Sequence, residues 1–175
     1  MENIIKTQSM SFSQSVKSVF DNLLNFKGRA RRSELWWFYL LYAVVSFVCG
    51  LVLASWPVAA SICSLVLILL IASVTVRRLH DRGHSGWWVA ASIIVSTFLQ
   101  SYYIWRGFYD IMNTINPDPE AIVKIFLDPV VMICTTVSFV VDITIFVFCV
   151  LDGKPERNKY GISPKYINTD EKLTL

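Results

Sequence analysis

The sequence predicts an all-α polytopic membrane protein, a four-transmembrane-helix bundle with an N-terminal amphipathic interfacial helix. Three observations predict it. First, 54% of the 175 residues are hydrophobic and only 17% are charged, against about 25% charged in an ordinary soluble domain. With a mean hydropathy of +0.51, this composition also excludes intrinsic disorder, because disordered chains lack the apolar residues that drive burial. Second, the apolar residues fall into runs that match the roughly 20 residues a helix needs to cross a bilayer. Third, the charges collect between those runs. Residues 1–34 hold six Lys/Arg and three acids, 77–86 three and one, 106–128 two and four, and 152–175 five and four, with Asp142 alone inside an apolar run.

The elements follow in chain order. Within residues 1–34, Phe12, Val16, Val19, Phe20, Leu23 and Leu24 recur at helical spacing, and Ser11 with Gln14 matches a capping box. Gly28 is placed to end that helix. With Lys17, Asp21 and Asn22 off the stripe, the segment reads as an amphipathic helix on the inner membrane surface or against the bundle, with a partner-binding helix as the alternative. From Leu35 to Val76 there are 42 residues without a charge, about twice one span. Ser55-Trp56-Pro57 near the middle divides them into spans 35–55 and 58–76. A third span covers 87–105 and a fourth 129–151, completing a membrane domain at 35–151. Asn116-Pro117-Asp118-Pro119 marks a turn in the 106–128 segment, and Glu120 to Leu127 can form a short interfacial helix. Residues 152–175 are a tail.

Lys/Arg-bearing short loops stay cytoplasmic. The lead segment, the 77–86 loop and the tail are therefore placed inside, and 106–128 falls in the periplasm. Four crossings put both termini on the cytoplasmic side. Trp and Tyr residues near the span ends suit the headgroup region, and the first apolar run begins too late for a cleaved signal peptide. Cys49, Cys63, Cys134 and Cys149 lie in apolar runs without metal or disulfide spacing and read as small buried hydrophobes; similar depth leaves a Cys49–Cys63 bridge open.

Three polar clusters remain, all on the cytoplasmic side: Gly28-Arg29-Ala30-Arg31-Arg32-Ser33-Glu34 leading into the first span, Arg77-Arg78-Leu79-His80-Asp81-Arg82-Gly83-His84-Ser85-Gly86-Trp87-Trp88 between the second and third, and Asn158-Lys159-Tyr160-Gly161-Ile162-Ser163-Pro164 in the tail. In wording and order, over roughly residues 24–164, they resemble the bacterial inner-membrane family known as domain of unknown function 805, the YhaH-like proteins. The resemblance implies a small multi-pass protein of the bacterial inner membrane and brings no established activity.

The middle motif reads as a tight hairpin, with Gly83 in the left-handed position after the second span and Ser85 as N-cap of the third. His80 and His84 at i, i+4 with Asp81 suggest a metal site, but a helix that stops at Gly83 does not bring His84 to the same face, and no metal is assigned. Arg29, Arg31, Arg32, Arg77, Arg78 and Arg82 converge on the interface, where guanidinium groups can bind the phosphates of anionic headgroups. Without a groove-reading helix or aromatic platform, nucleic acid is not expected. No nucleophile elbow, H-E-x-x-H or phosphate loop is present, so no catalytic residue and no cofactor is assigned.

Asp81 sits at a helix C-terminus, where the dipole disfavours an acid, and Arg77 and Arg78 are in the weaker orientation for in-helix pairing. It is expected to pair across spans with Arg29, Arg31 or Arg32, with Glu34 on Arg77, Arg78 or Arg82 and Tyr160-Gly161 packed over the cluster. Asp142 is expected to face the bundle interior, hydrogen-bonded to Ser46, Ser92 or Ser96. The leading function is a non-enzymatic structural, lipid-binding or partner-binding component, self-association included. A small transporter or channel subunit using Asp142 and a membrane enzyme using His80, Asp81 and His84 are the alternatives.

Overall fold

The computed structural model describes residues 4–168, so the ends of the lead segment and tail lie outside the described residues. The chain runs β1 (Ile4–Lys6), α1 (Phe12–Asp21), α2 (Arg32–Val52), α3 (Pro57–Asp81), α4 (Trp87–Trp105), α5 (Phe108–Met112), α6 (Pro119–Phe126), α7 (Pro129–Val150) and β2 (Tyr166–Asn168). By length and composition α2, α3 and α7 can each cross a membrane. α4 has 19 uncharged residues, but Gln100 and its terminal Trp and Tyr residues make it less apolar. One face of the long helices carries exposed apolar side chains, Leu40, Val44, Phe47 and Leu51 on α2 among them, as expected of helices solvated by lipid.

The C-terminal half of α3 is the centre of the molecule: every residue from Ile71 to Asp81 is buried. α2 packs on α3, α4 on α7, and α3 touches both α4 and α7. The helix continues five residues past the Val76 boundary expected from hydropathy, carrying the whole Arg77–Asp81 motif as helix. Charge density ends a hydropathic run, but not a helix whose charged side chains find partners.

α1 begins at the expected capping box of Ser11 and Gln14 and packs on α2, with Val19 fully buried and Phe12 and Phe20 set edge-on to Trp37 and Phe38. It ends earlier than expected, at Asp21, where the Asn22 backbone N–H donates to the Val19 carbonyl and its amide to the Ser18 carbonyl. Leu23 and Leu24 thus lie beyond the helix. Gly28, at φ +81°, turns the following loop instead.

The sequence does not announce β1 and β2. They pair antiparallel, Ile5 opposite Ile167, which brings the two ends of the described chain to one end of the bundle. At the opposite end, Asp118 caps α6 and Asp128 caps α7, and Asp128 also takes a hydrogen bond from Tyr102 (2.9 Å) and an ion pair from Arg106 (3.5 Å). The four cysteines are free.

Candidate functional site: the motif cluster

The three motifs meet around the C-terminus of α3. A helix end leaves carbonyls without intrahelical donors. Here, the following turn supplies some donors, Gly83 N–H to the His80 carbonyl among them, and distant parts of the chain supply more. The Arg77 carbonyl accepts from Ala30 N–H (3.0 Å), the His80 carbonyl from the Asn158 amide (2.8 Å), and the Asp81 carbonyl from Lys154 N–H (3.2 Å) and Arg29 (3.3 Å).

Arg29 is the keystone. Its Nε donates to Asp81 Oδ1 at 2.7 Å, Nη1 to the carbonyls of Glu156 (2.8 Å) and Gly161 (3.2 Å), and Nη2 to the carbonyls of Asp81 and Lys154. A guanidinium has five N–H donors, and each has an acceptor. The other Asp81 oxygen is held by Arg78, which also donates to the Cys149 carbonyl (3.2 Å), the Ala30 carbonyl (3.5 Å) and the Leu151 carbonyl. Arg78 therefore caps the negative end of α7. The in-helix Arg78–Asp81 pair forms despite its weaker orientation, because burial of both groups leaves no water to compete for them.

Beside this triad, Arg77 pairs with Glu34 at 3.0 Å, both side chains buried, and Ser18 of α1 donates to Glu34 at 3.2 Å. Of the three lead arginines only Arg29 meets Asp81. Arg31 binds the Thr7 hydroxyl and Gln8 carbonyl, and Arg32 the Asp152 carboxylate at 3.2 Å. Arg82 turns away from Glu34 to donate to the Asp152 carbonyl (2.7 Å). Ser33 falls in the first turn of α2.

In the tail, Asn158 and Gly161 close a tight turn through reciprocal backbone hydrogen bonds of 3.2 and 3.0 Å. The Asn158 carboxamide oxygen accepts from Tyr160 N–H at 2.8 Å, and Gly161 at φ +121° aims its carbonyl at Arg29. Tyr160 is laid flat on His80, ring centroids 3.7 Å apart. The Pro164 carbonyl accepts from the Thr7 hydroxyl at 3.3 Å.

The two histidines do not converge. His80 stacks on Tyr160 and places Nδ1 3.2 Å from the Gly28 carbonyl, whereas His84, beyond left-handed Gly83, stacks on Phe148 at 3.8 Å. Burial, then Arg82 and Lys154, push the His84 pKa down. Ser85 acts one position earlier than expected: Gly86 is the N-cap of α4, and the Ser85 hydroxyl accepts from Trp87 N–H at 3.3 Å. A Cβ on Gly86 would lie 2.7 Å from Val76 Cγ1, so glycine lets α4 start against α3. Trp87 itself is exposed.

Sequence reasoning missed Gly153. A Cβ there would overlap the Asp81 carboxylate, and the adjacent Asp152-Gly153 turn signal after the last apolar run was the available clue.

The family described as "Protein of unknown function (DUF805)" matches residues 23–162. The chain belongs to this family. Residues 23–162 contain Arg29, Arg78, Asp81, Gly153 and the Asn158–Gly161 turn, so the DUF805 segment encloses the centre of the cluster. Among curated proteins, the chain is similar to inner membrane protein YhaH of Escherichia coli strain K12, 34% identical over 84 residues, covering 43% of this chain and 69% of YhaH. It is also similar to inner membrane protein YhaI of the same strain, at 35% over 75 residues, 41% of this chain and 64% of YhaI. Uncharacterized protein YiiR of that strain is 41% identical over 76 residues, 41% of this chain and about half (51%) of YiiR. No solved structure matches. The DUF805 chain described here is thus an integral membrane protein similar to inner-membrane proteins, and no activity accompanies the family.

The Lys165 ammonium first, then Arg32, hold the Asp152 carboxyl down at about 2. A depressed folded pKa contributes stability above the unfolded value of about 3.9 and loses it as pH falls through the folded one. Asp152 is half exposed, so the contribution is small. Pepsin cleavage in residues 152–165 is expected to rise as pH falls from about 4 to about 2, and the Asp152→Asn variant to lack that rise; equal profiles would contradict it.

Proposed function

We propose that this chain is a four-span protein of the inner membrane with both termini in the cytoplasm, and that its three motifs form a non-catalytic clasp. The clasp holds the cytoplasmic face in one shape as a surface for anionic headgroups or a partner. The carrying observation is Arg29: all five of its donors end on Asp81 and on carbonyls of the chain itself. An arginine that served a substrate would have to keep donors for it. Arg78 commits four of its donors in the same way, and the lipid-facing role passes to exposed cations at the same end, Lys27, Lys154, Arg157 and Lys159.

Three observations support four crossings. α4 is uncharged and bounded by Trp and Tyr; the α3–α4 turn is short; and the pairing of β1 with β2 brings the chain ends together, as an even number requires. The Lys/Arg excess on that end supports a cytoplasmic assignment.

Single cysteines in a cysteine-free background test orientation and clasp together. An impermeant maleimide is expected to label Asn116→Cys in intact spheroplasts and Lys159→Cys only after permeabilisation. Ser163→Cys, at a position only 2% exposed, is expected to stay unreactive even then, and to become reactive when Arg29→Met opens the clasp. Outside labelling of Lys159→Cys reverses the orientation; a reactive Ser163→Cys in the intact clasp removes the clasp.

A further inference from the structure

Just inside the clasp, α2, α3, α4 and α7 surround a cavity of about 560 Å³, within the range of small-molecule sites. One wall is a continuous aromatic row: Phe146 meets Trp36 at 5.9 Å between centroids, Trp36 meets Tyr39 at 5.9 Å, and Tyr39 meets Tyr42 at 6.1 Å. Asp142 lines the same space. Its Oδ1 accepts a hydrogen bond from Ser92 at 2.6 Å; Ser46 and Ser96 are not its partners. Contrary to expectation, its side chain is exposed and not sealed in the bundle.

The carboxylates at the ends of the long helices α2, α3 and α7 are matched: Glu34 by Arg77, Asp81 by Arg29 and Arg78, and Asp128 by Arg106. Among the described residues, no cation makes an ion pair with Asp142, and none of the cavity-lining residues is Lys, Arg or His. Eight residues separate Asp142 from the end of α7 at Val150, which puts it about 12 Å inside the span at 1.5 Å per residue. An ionisable group at such depth is a functional-site hypothesis in its own right.

We infer that this cavity binds a lipophilic organic cation, with Asp142 as counter-ion and the Phe146–Trp36–Tyr39–Tyr42 row as its π-face wall. Aromatic faces carry negative potential and attract ammonium-type cations, most strongly when desolvated. They add to the carboxylate here, so both halves of the site favour positive charge. A small inorganic cation fits poorly. The described residues contain no group of His, Cys, Asp and Glu side chains able to hold a metal, and apolar walls cannot replace a hydration shell. The route of arrival favours a lipophilic ligand too. Asp142, Phe139, Ile143 and Phe146 are exposed, so the cavity opens beside α7 onto its apolar surface, while the arginine-rich clasp lies across the other end. The inference concerns binding alone and does not rest on the clasp reading.

Tetraphenylphosphonium and tetraphenylborate, equal in shape and opposite in charge, test it by equilibrium dialysis against the full-length protein in dodecylmaltoside. Tetraphenylphosphonium is expected to bind saturably, about one per chain, and tetraphenylborate not. Asp142→Asn keeps the size and the Ser92 hydrogen bond, and is expected to weaken binding at least about tenfold with unchanged gel-filtration profile. Trp36→Leu, which leaves the carboxylate in place, is expected to weaken it several-fold and carries the test should Asp142→Asn misfold. Equal binding by both variants, equal binding of the borate, or no saturable binding because a phospholipid holds the cavity would each overturn the inference.

Discussion

Asp81→Ala is expected to cost the detergent-solubilised protein about 3–5 kcal/mol, the range for removing one partner of a buried ion pair. At this chain length that lowers Tm on the order of 10 °C. The cause is less the lost attraction than the charges left behind. Arg29 and Arg78 have side chains only 1% exposed, and without Asp81 two guanidinium groups stay buried with carbonyls alone. Asp81→Arg is expected to be worse, since a third cation joins them, and Arg29→Asp in that background to recover part of the loss by restoring one pair. Arg29→Met is expected to match Asp81→Ala, because carbonyls of the tail and α3 lose their donor. A Tm within about 2 °C of wild type for Asp81→Ala, less than 1 kcal/mol at this length, would mean that water reaches the triad and screens it.

Gly153→Ala should be nearly as damaging, although glycine to alanine usually stabilises where the backbone allows it. The new methyl overlaps the Asp81 carboxylate, which two arginines hold in place, so neither side can give. Overpacking costs about 1–3 kcal/mol and occasionally more; a clash against a locked ion pair belongs at the upper end. The mechanism has a signature. In the Asp81→Ala background the obstacle is gone, so Gly153→Ala should then cost well under 1 kcal/mol, a strong coupling of the kind seen between touching residues. Additive losses would point to backbone conformation at residue 153 instead of contact with Asp81.

The long helices and α1 were legible because their signals are local, whereas the five-residue α5 was not anticipated. The capping box at Ser11, the Pro57 break, the Asn116–Pro119 turn and the left-handed Gly83 all act within a few residues. The failures are equally specific. α3 runs through Arg77–Asp81 because Glu34, Arg29 and the tail neutralise that turn, and none of these is nearby in sequence. α1 stops at Asp21 because Asn22 closes it, although the apolar stripe continues through Leu24.

Apolar runs, their charged boundaries and the identities of the motif residues are properties of single positions, so the approximate course of the long helices and the groups that collect at one end could be read without the fold, though not the ends of α1 and α3. Partner choice was decided only by tertiary structure. Arg29, Arg31 and Arg32 are chemically alike, yet only the first, placed just after the Gly28 turn, reaches the Asp81 carboxylate, while Arg32 finds Asp152. The contact of Gly153 with Asp81 exists only because α7 delivers it there, and Asp142, conspicuous in the sequence as a lone charge, gains its aromatic neighbours only where four helices line one open cavity. Transfer free energies add residue by residue along a chain. Contacts depend on where distant helices cross, and no local pattern records that.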